Sequence, residues 1–245
     1  IALAADDRLV VTSSRDQTVR VWERSTGAEL RVFLGHVGEV SAVSATVDGR
    51  LVVSGGWAGT ARIWDVATGR PLLQINVRSR VYAVAFSPDD ARVATGSGDG
   101  VVRVWDVRNG EELLSMECGT CGAVLAVAYS KDGHHLVSGA MGNSAHLWDA
   151  DTGEHLGQYG TTSRSPGQDV TSVAISDDGR RIITGHAGEQ LARIWDVGSG
   201  GELTRLVGHT GPVSGVGFLP TGGMAVTSSW DGTVRVWHTE SGSQV

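Results

Sequence analysis

The sequence predicts an all-β chain, a β-propeller of four-stranded antiparallel blades, and three observations carry that expectation. Tryptophan closes a β-type run at Trp22, Trp64, Trp105, Trp148, Trp195 and Trp237, at intervals of 41 to 47 residues, and self-similarity on that scale marks an array of repeated small units. Within each interval the apolar residues alternate with period two, which excludes helix. Turn residues punctuate the runs: 35 of the 245 residues are Gly, without a Gly-X-Y period, as frequent tight turns require. A single small sheet cannot bury both of its faces, whereas several packed face to face around an axis can.

The units follow in order. The first, DDRLVVTSSRDQTVRVW, aligns with DDARVATGSGDGVVRVW of the third, which places Ile1 in the middle of a first strand. The second is introduced by Gly35-His36 and closes on ARIWD. The third shows the whole pattern: VYAVAFS, the turn SPDDA, RVATGS, the turn GDG, VVRVWD, the turn RNG and EELLSM, four strands joined by hairpin turns. The fourth opens with ECGTCG and closes on AHLWD. The fifth is preceded by GTTSRSPGQD, a surface insertion that costs little, with Arg164 a secondary candidate for a polar contact. The sixth is introduced by Gly208-His209 and closes on VRVWH; Val245 aligns with Leu113, at the start of a fourth strand.

A net charge of −7 with no run of like charges argues against a nucleic-acid or anionic membrane surface, because both need clustered cations. No apolar run approaches the ~18 residues of a membrane span, and the start IALAADDR has no signal-peptide pattern. The expectation is a cytoplasmic chain whose partners are proteins or small molecules. Its first residue, Ile1, reads as the start of a piece of a longer protein.

These residues resemble the WD-repeat β-propeller family over nearly the whole chain, as one domain spanning 1–245. Asp65, Asp106, Asp149 and Asp196 follow their tryptophans, with Glu23 and His238 in the first and last units; His36 and His209 each lie 28 residues before the next Trp. Two readings of the six visible repeats stay open, a six-bladed ring or most of a seven-bladed or larger propeller; the second is favoured because seven is the family's commonest number. The resemblance implies a non-catalytic protein-interaction scaffold or docking module. The alternative is a sensor propeller attached to a bacterial signalling enzyme, a kinase, protease or nucleotide-switched ATPase, since turns such as DVATGR and DADTGE resemble those arrays.

His209, Thr227, Asp231 and Trp237 could be mistaken for a hydrolase set; the resemblance implies instead a buried structural network, parts of which recur in other units. Its departures are Ala58 and Gly142 in place of Asp, and Val77 in place of His. No catalytic residue, cofactor or metal is expected. Cys118 and Cys121 form a lone Cys-x-x-Cys, expected as free thiols: zinc takes about four ligands, and the nearest downstream histidines, His134 and His135, lie in a turn expected on the opposite face. Arginine recurs two residues before the Trp at Arg20, Arg62, Arg103, Arg193 and Arg235, with His146 in the fourth unit; its stem can pack while its tip finds a carboxylate or solvent.

In such a propeller the turns between second and third strands share one face, which the family uses for partners. The residue seven before each Trp occupies that turn: Arg15, Trp57, Gly98, Met141, Gly188 and Trp230. Aromatic and Arg side chains at exposed tips are interface anchors. Arg15, Trp57, Met141 and Trp230, with Arg80 and Tyr82 at the start of the third unit, are therefore the candidate residues for a protein or peptide partner. Arg15, Trp57 and Trp230 are expected along one rim, gripping an apolar side chain and a carboxylate together.

Overall fold

Period-two alternation becomes strand throughout. The computed structural model describes residues 1–5, 7–119, 121–160, 168–220 and 222–245, and among them there is no helix. The first sheet comprises β1 (Ala2–Ala4), β2 (Leu9–Ser13), β3 (Val19–Glu23) and β4 (Glu29–Phe33). The second is β5 (Val40–Ala45), β6 (Leu51–Gly56), β7 (Thr60–Asp65) and β8 (Pro71–Asn76); the third is β9 (Val81–Phe86), β10 (Arg92–Ser97), β11 (Val101–Asp106) and β12 (Glu112–Glu117). The fourth is β13 (Val124–Tyr129), β14 (His135–Ala140), β15 (Ser144–Asp149) and β16 (His155–Gly160); the fifth is β17 (Val170–Ile175), β18 (Arg181–His186), β19 (Leu191–Asp196) and β20 (Glu202–Val207). The sixth holds β21 (Val213–Phe218), β22 (Met224–Ser229) and β23 (Val234–His238). There the chain begins a fourth strand: Gln244 bridges Trp237, and Val245 N–H donates to Val236 O at 2.9 Å.

Every sheet is an antiparallel meander in chain order, the arrangement that two- to five-residue turns permit. The residues group into two compact units of three sheets each, Ile1–Glu117 and Cys118–Val245. The second strands of the second to fifth sheets are buried on both faces, while fourth strands such as Pro71–Asn76 bury mainly one residue, Ile75. In five blades the ladder between third and fourth strands shifts by one at the Trp, a bulge that re-aims the side chain.

The Asp after the Trp caps the following turn. Asp65 Oδ1 accepts from Thr68 N–H at 2.7 Å and Thr68 Oγ1–H at 2.6 Å, and Asp149 and Asp196 hold Thr152 and Ser199 in the same way. These donors hold all three carboxylates below their ordinary pKa, because each hydrogen bond favours the charged form.

Packing between sheets is close enough to require glycine. A Cβ on Gly139 would lie 2.6 Å from Val170 Cγ1 and 2.9 Å from Val173 Cγ1 of the next blade, and one on Gly55 would meet Val81 Cγ1 at 2.4 Å. Polar stitches accompany this contact: Val216 N–H donates to Ser172 Oγ at 3.1 Å and Phe86 N–H to Ser44 Oγ at 3.2 Å. Gly139→Ala should therefore destabilise the protein by about 1–3 kcal/mol through overpacking. Gly223→Ala, whose Cβ meets nothing within 4 Å, should stay within about 0.5 kcal/mol; urea unfolding of the two variants checks the contrast.

Candidate functional site

In all six blades the indole N–H of the Trp donates to a Ser or Thr hydroxyl on the second strand, at 2.8–2.9 Å: Thr12, Ser54, Thr95, Ser138, Thr184 and Thr227. In the sixth blade the chain of contacts continues outward. Thr227 Oγ1 lies 2.7 Å from His209 Nε2, and His209 Nδ1 lies 2.8 Å from Asp231 Oδ2. A hydroxyl that accepts from the indole gives its own proton to Nε2, which leaves Nδ1–H to donate to the carboxylate. Asp231 also accepts from Thr233 and from Thr210 N–H, and these bonds hold its carboxyl well below the usual range. Thr227 is 1% exposed and His209 has no exposed side-chain surface. Attack by this hydroxyl on a substrate would need access that such burial denies.

The other blades hold parts of this chain. His36 Nε2 lies 2.7 Å from Ser54 Oγ, but Ala58 offers no carboxylate, and buried His36 Nδ1 has no hydrogen-bond partner. In the fifth blade His186, from the end of β18, lies 2.8 Å from Thr184 Oγ1 and fills the histidine's role from another direction; the 28-residue spacing could not reveal it. Asp16 and Asp99 do not join their Trp–Thr pairs. Asp16 accepts from Thr18 Oγ1–H at 2.6 Å, and Asp99 from Ser97 Oγ–H at 2.6 Å and from Arg103 Nη2–H at 2.8 Å.

The recurrent arginines point their tips at acceptors of their own blade. Arg20 pairs with Glu29 at 3.0 Å, Arg103 with Glu112 at 3.8 Å, Arg193 with Glu189 and Glu202, and Arg235 with Gln244 at 3.0 Å. Arg62 lies instead against Trp64, its guanidinium carbon 5.9 Å from the ring centroid. A hollow of about 390 Å³ in the second unit is lined by the Arg193 ion pairs together with Asn143, Gln168 and Arg205.

The turn residues divide between the two units. In the first, Trp57 is 37% exposed and carries Arg80 on its face, 5.0 Å from the ring centroid. Arg15 is 87% exposed and reaches Glu39 at 3.5 Å. Tyr82 is half-buried beside Gly98. In the second unit Trp230 is 79% and Met141 41% exposed. The inserted segment around Arg164 lies outside the described residues.

The expectation of free thiols at Cys118 and Cys121 is corrected: the two form a disulfide, their Cα atoms 5.6 Å apart. That Cα separation lies within the range a disulfide spans. The histidine beside this pair is neither of the two in the downstream turn. His134 is exposed and contacts Asp151 at 3.3 Å, whereas His146, on β15, has a ring nitrogen that lies with both Sγ atoms in a group no more than 4.8 Å across.

Repeated antiparallel blades, each locked by an indole–hydroxyl bond, define a β-propeller protein of the Trp-Asp type. The model of the WD domain, G-beta repeat, matches residues 1–23, 27–65, 69–106, 110–149, 158–196 and 200–238, and the chain belongs to that WD40 family. It is 42% identical over 65 residues to a periodic tryptophan protein 2 homolog of Neurospora crassa, 26% of this chain and 7% of that protein. It is 34% identical over 80 residues to the guanine nucleotide-binding protein subunit beta of Schizosaccharomyces pombe, 33% and 25% of the two chains. A human tRNA (guanine-N(7)-)-methyltransferase non-catalytic subunit is 36% identical over 77 residues, 31% and 19%. The matched stretches thus span a quarter or less of these relatives.

Two predictions follow from the networks. The turns Trp57-Ala58-Gly59-Thr60 and Trp230-Asp231-Gly232-Thr233 differ at one residue, and their glycines share a left-handed backbone, φ 78° and 82°. Ala58→Asp should give His36 Nδ1–H its acceptor and raise Tm by about 2–4 °C, near 1 kcal/mol. The His36 pKa should also rise from its present value of about 4; calorimetry and NMR titration read both.

The second concerns acid. Burial, then the Arg62 charge, lowers His36 to about 4 from 6.5. Burial, then Arg193, does the same to His186, against the opposing charges of Glu189 and Glu202. Both imidazoles are neutral in the fold, while the unfolded chain protonates near 6.5. Stability should therefore fall as pH drops from about 6.5 toward 4, by about 1.4 kcal/mol per pH unit for each ring. Tm measured between about pH 5 and pH 8 should show this slope, and His36→Gln should reduce it.

Proposed function

We propose that the chain is a non-catalytic recognition module that binds a protein or peptide through the turns between second and third strands. The observation that carries this reading is the exposure of large aromatic side chains at those turns: Trp57 with Arg80 stacked on it, and Trp230 at 79% exposure. Exposed tryptophans on a rigid scaffold are costly in water and are typical binding anchors. In the first unit, Arg15 and Arg80 add cations on either side in sequence, which suits a partner segment that offers an apolar side chain and a carboxylate. Met141 and Tyr82 extend the two patches.

Burial of the His209–Thr227–Asp231 set supports the absence of catalysis, and the relatives include a protein described as a non-catalytic subunit. The net charge of −7 disfavours nucleic acid as the partner. Among the described residues no helix is long and apolar enough to cross a membrane. We keep the cytoplasm as the proposed setting. A second reading, in which the blades receive a trigger for a signalling enzyme joined to them, draws on the Cys118–Cys121 pair, a group that changes state with redox conditions.

The test is the affinity of a partner recovered by pull-down, measured by calorimetry beside melting curves. Trp57→Ala and Trp230→Ala should each weaken binding by about 2 kcal/mol, roughly 30-fold, with Tm unchanged. Normal binding by both variants, or loss of fold in either, assigns the tryptophans to the blades instead.

A further inference from the structure

The fourth blade departs from the others at several linked positions. In four of the other five blades the residue two before the Trp and the residue seven after the Trp form a polar pair: Arg20–Glu29, Arg103–Glu112, Arg193–Glu202 and Arg235–Gln244. In the fourth blade both are histidines, and His146 Nδ1 lies 3.0 Å from His155 Nε2. In the second and sixth blades this arginine faces the glycine that precedes the loop histidine: a Cβ on Gly35 would meet Arg62 Nη1 at 3.3 Å, and one on Gly208 would meet Arg235 Nη1 at 2.8 Å. The corresponding loop of the fourth blade reads Cys118-Gly119-Thr120-Cys121, so His146 faces two cysteines. A ring nitrogen of His146 and both Sγ atoms lie within 4.8 Å of one another. The same blade has Gly142 where the network's carboxylate would be and Thr120 where its histidine would be.

Two thiolates and an imidazole are the donor set of zinc, not of calcium or magnesium. Tetrahedral zinc with Zn–S near 2.3 Å and Zn–N near 2.0 Å holds its ligand atoms about 3.3–3.8 Å apart, so the imidazole nitrogen, within 4.8 Å of both sulfurs, has at most about 1 Å to close, while the two Sγ atoms, bonded to each other in the disulfide, separate to about 3.8 Å on reduction. The cysteines are half-buried on a loop, and His146 is buried on a strand. A histidine ligand commonly holds its other nitrogen on an outer partner that sets tautomer and aim; His155 occupies that place at Nδ1, and Nε2, which lies 3.1 Å from Ser144 Oγ, exchanges that contact for the metal.

We propose that the fourth blade is a redox-gated zinc site: once the Cys118–Cys121 disulfide is reduced, Cys118, Cys121 and one ring nitrogen of His146 bind Zn²⁺, a water completes its tetrahedral shell, and His155 is a positioning residue. In the test the reductant is a trialkylphosphine. Phosphorus gives two electrons to the S–S bond and takes oxygen from water as the phosphine oxide, while water's two protons leave two thiols. Zinc then replaces those protons, forming two Zn–S bonds and releasing two H⁺.

The experiment uses the full 245-residue chain, stripped with chelator, reduced under anaerobic conditions and titrated with Co²⁺ as the spectroscopic probe, then with Zn²⁺. One equivalent of cobalt should give thiolate-to-cobalt charge transfer and tetrahedral ligand-field bands that zinc abolishes; unreduced protein should give neither. Cys118→Ser and Cys121→Ser should each remove the charge transfer or weaken binding by at least about 100-fold, and His155→Ala, at an exposed position, should weaken it about 10- to 100-fold. His146→Asn alters a buried residue, so zinc protection of the wild-type thiols from iodoacetamide serves as a readout that needs no variant. No cobalt bands in the reduced protein, bands that persist in both cysteine variants, or alkylation unaffected by zinc would overturn the proposal.

Discussion

Each blade depends on one side chain that does two jobs. The indole N–H of the Trp reaches a second-strand hydroxyl at 2.8–2.9 Å in all six blades, which fixes the third strand against the second inside the sheet. Within each unit the same ring also fills the core of the preceding sheet: Trp64 stacks on Phe33 at 5.3 Å, Trp105 joins Val53, Ile63 and Ile75, Trp195 joins Val137 and Leu147, and Trp237 joins Ile183, Ile194 and Leu206. Shortening this residue would open a cavity between blades and strand a buried hydroxyl at once. Phenylalanine would restore the area and lose the bond. The constraint therefore admits one residue type, which is why the tryptophan recurs while its neighbours drift.

The partners beyond the hydroxyl are replaceable because they satisfy it from outside. In the sixth blade the outer end carries His209 and Asp231, in the second only His36, and in the fifth a histidine arriving from the strand end. A buried imidazole nitrogen without a partner costs about 1–3 kcal/mol, as at His36 and His186 Nδ1. That is tolerable against the area buried by each tryptophan. Divergence has run along the outer links of the chain and left the inner bond intact.

The sheets were legible in the sequence because one covalent period carried both signals, the Trp spacing and the period-two alternation. The turn-capping role of Asp65, Asp149 and Asp196 is local, two or three residues in reach, and becomes clear only when the donors are seen. What could not be read depends on register across strands. His186 replaces the loop histidine from a position that the loop spacing does not mark. The Arg80–Trp57 stack joins two loops 23 residues apart in the chain. The pairing of Cys118 with Cys121 is not legible in the motif, because a Cys-x-x-Cys spacing serves metal, thiol and disulfide alike, and the backbone geometry decides whether the sulfurs meet.

The fourth blade shows what this tolerance permits. Its Trp148–Ser138 bond is unchanged at 2.9 Å, so the sheet does not need the outer network for its register. Once the loop histidine and the turn carboxylate are gone, the space above the tryptophan must be filled by something that satisfies its own polar atoms. A disulfide carries no N–H or O–H that needs an acceptor, and a pair of histidines 3.0 Å apart does it by sharing one proton. Those substitutes carry chemistry that Arg and Glu lack: sulfur that can be reduced and imidazole nitrogen that can bind a metal. A position under purely structural demand in one blade thus becomes reactive in another, because the bond that holds the fold lies one layer deeper.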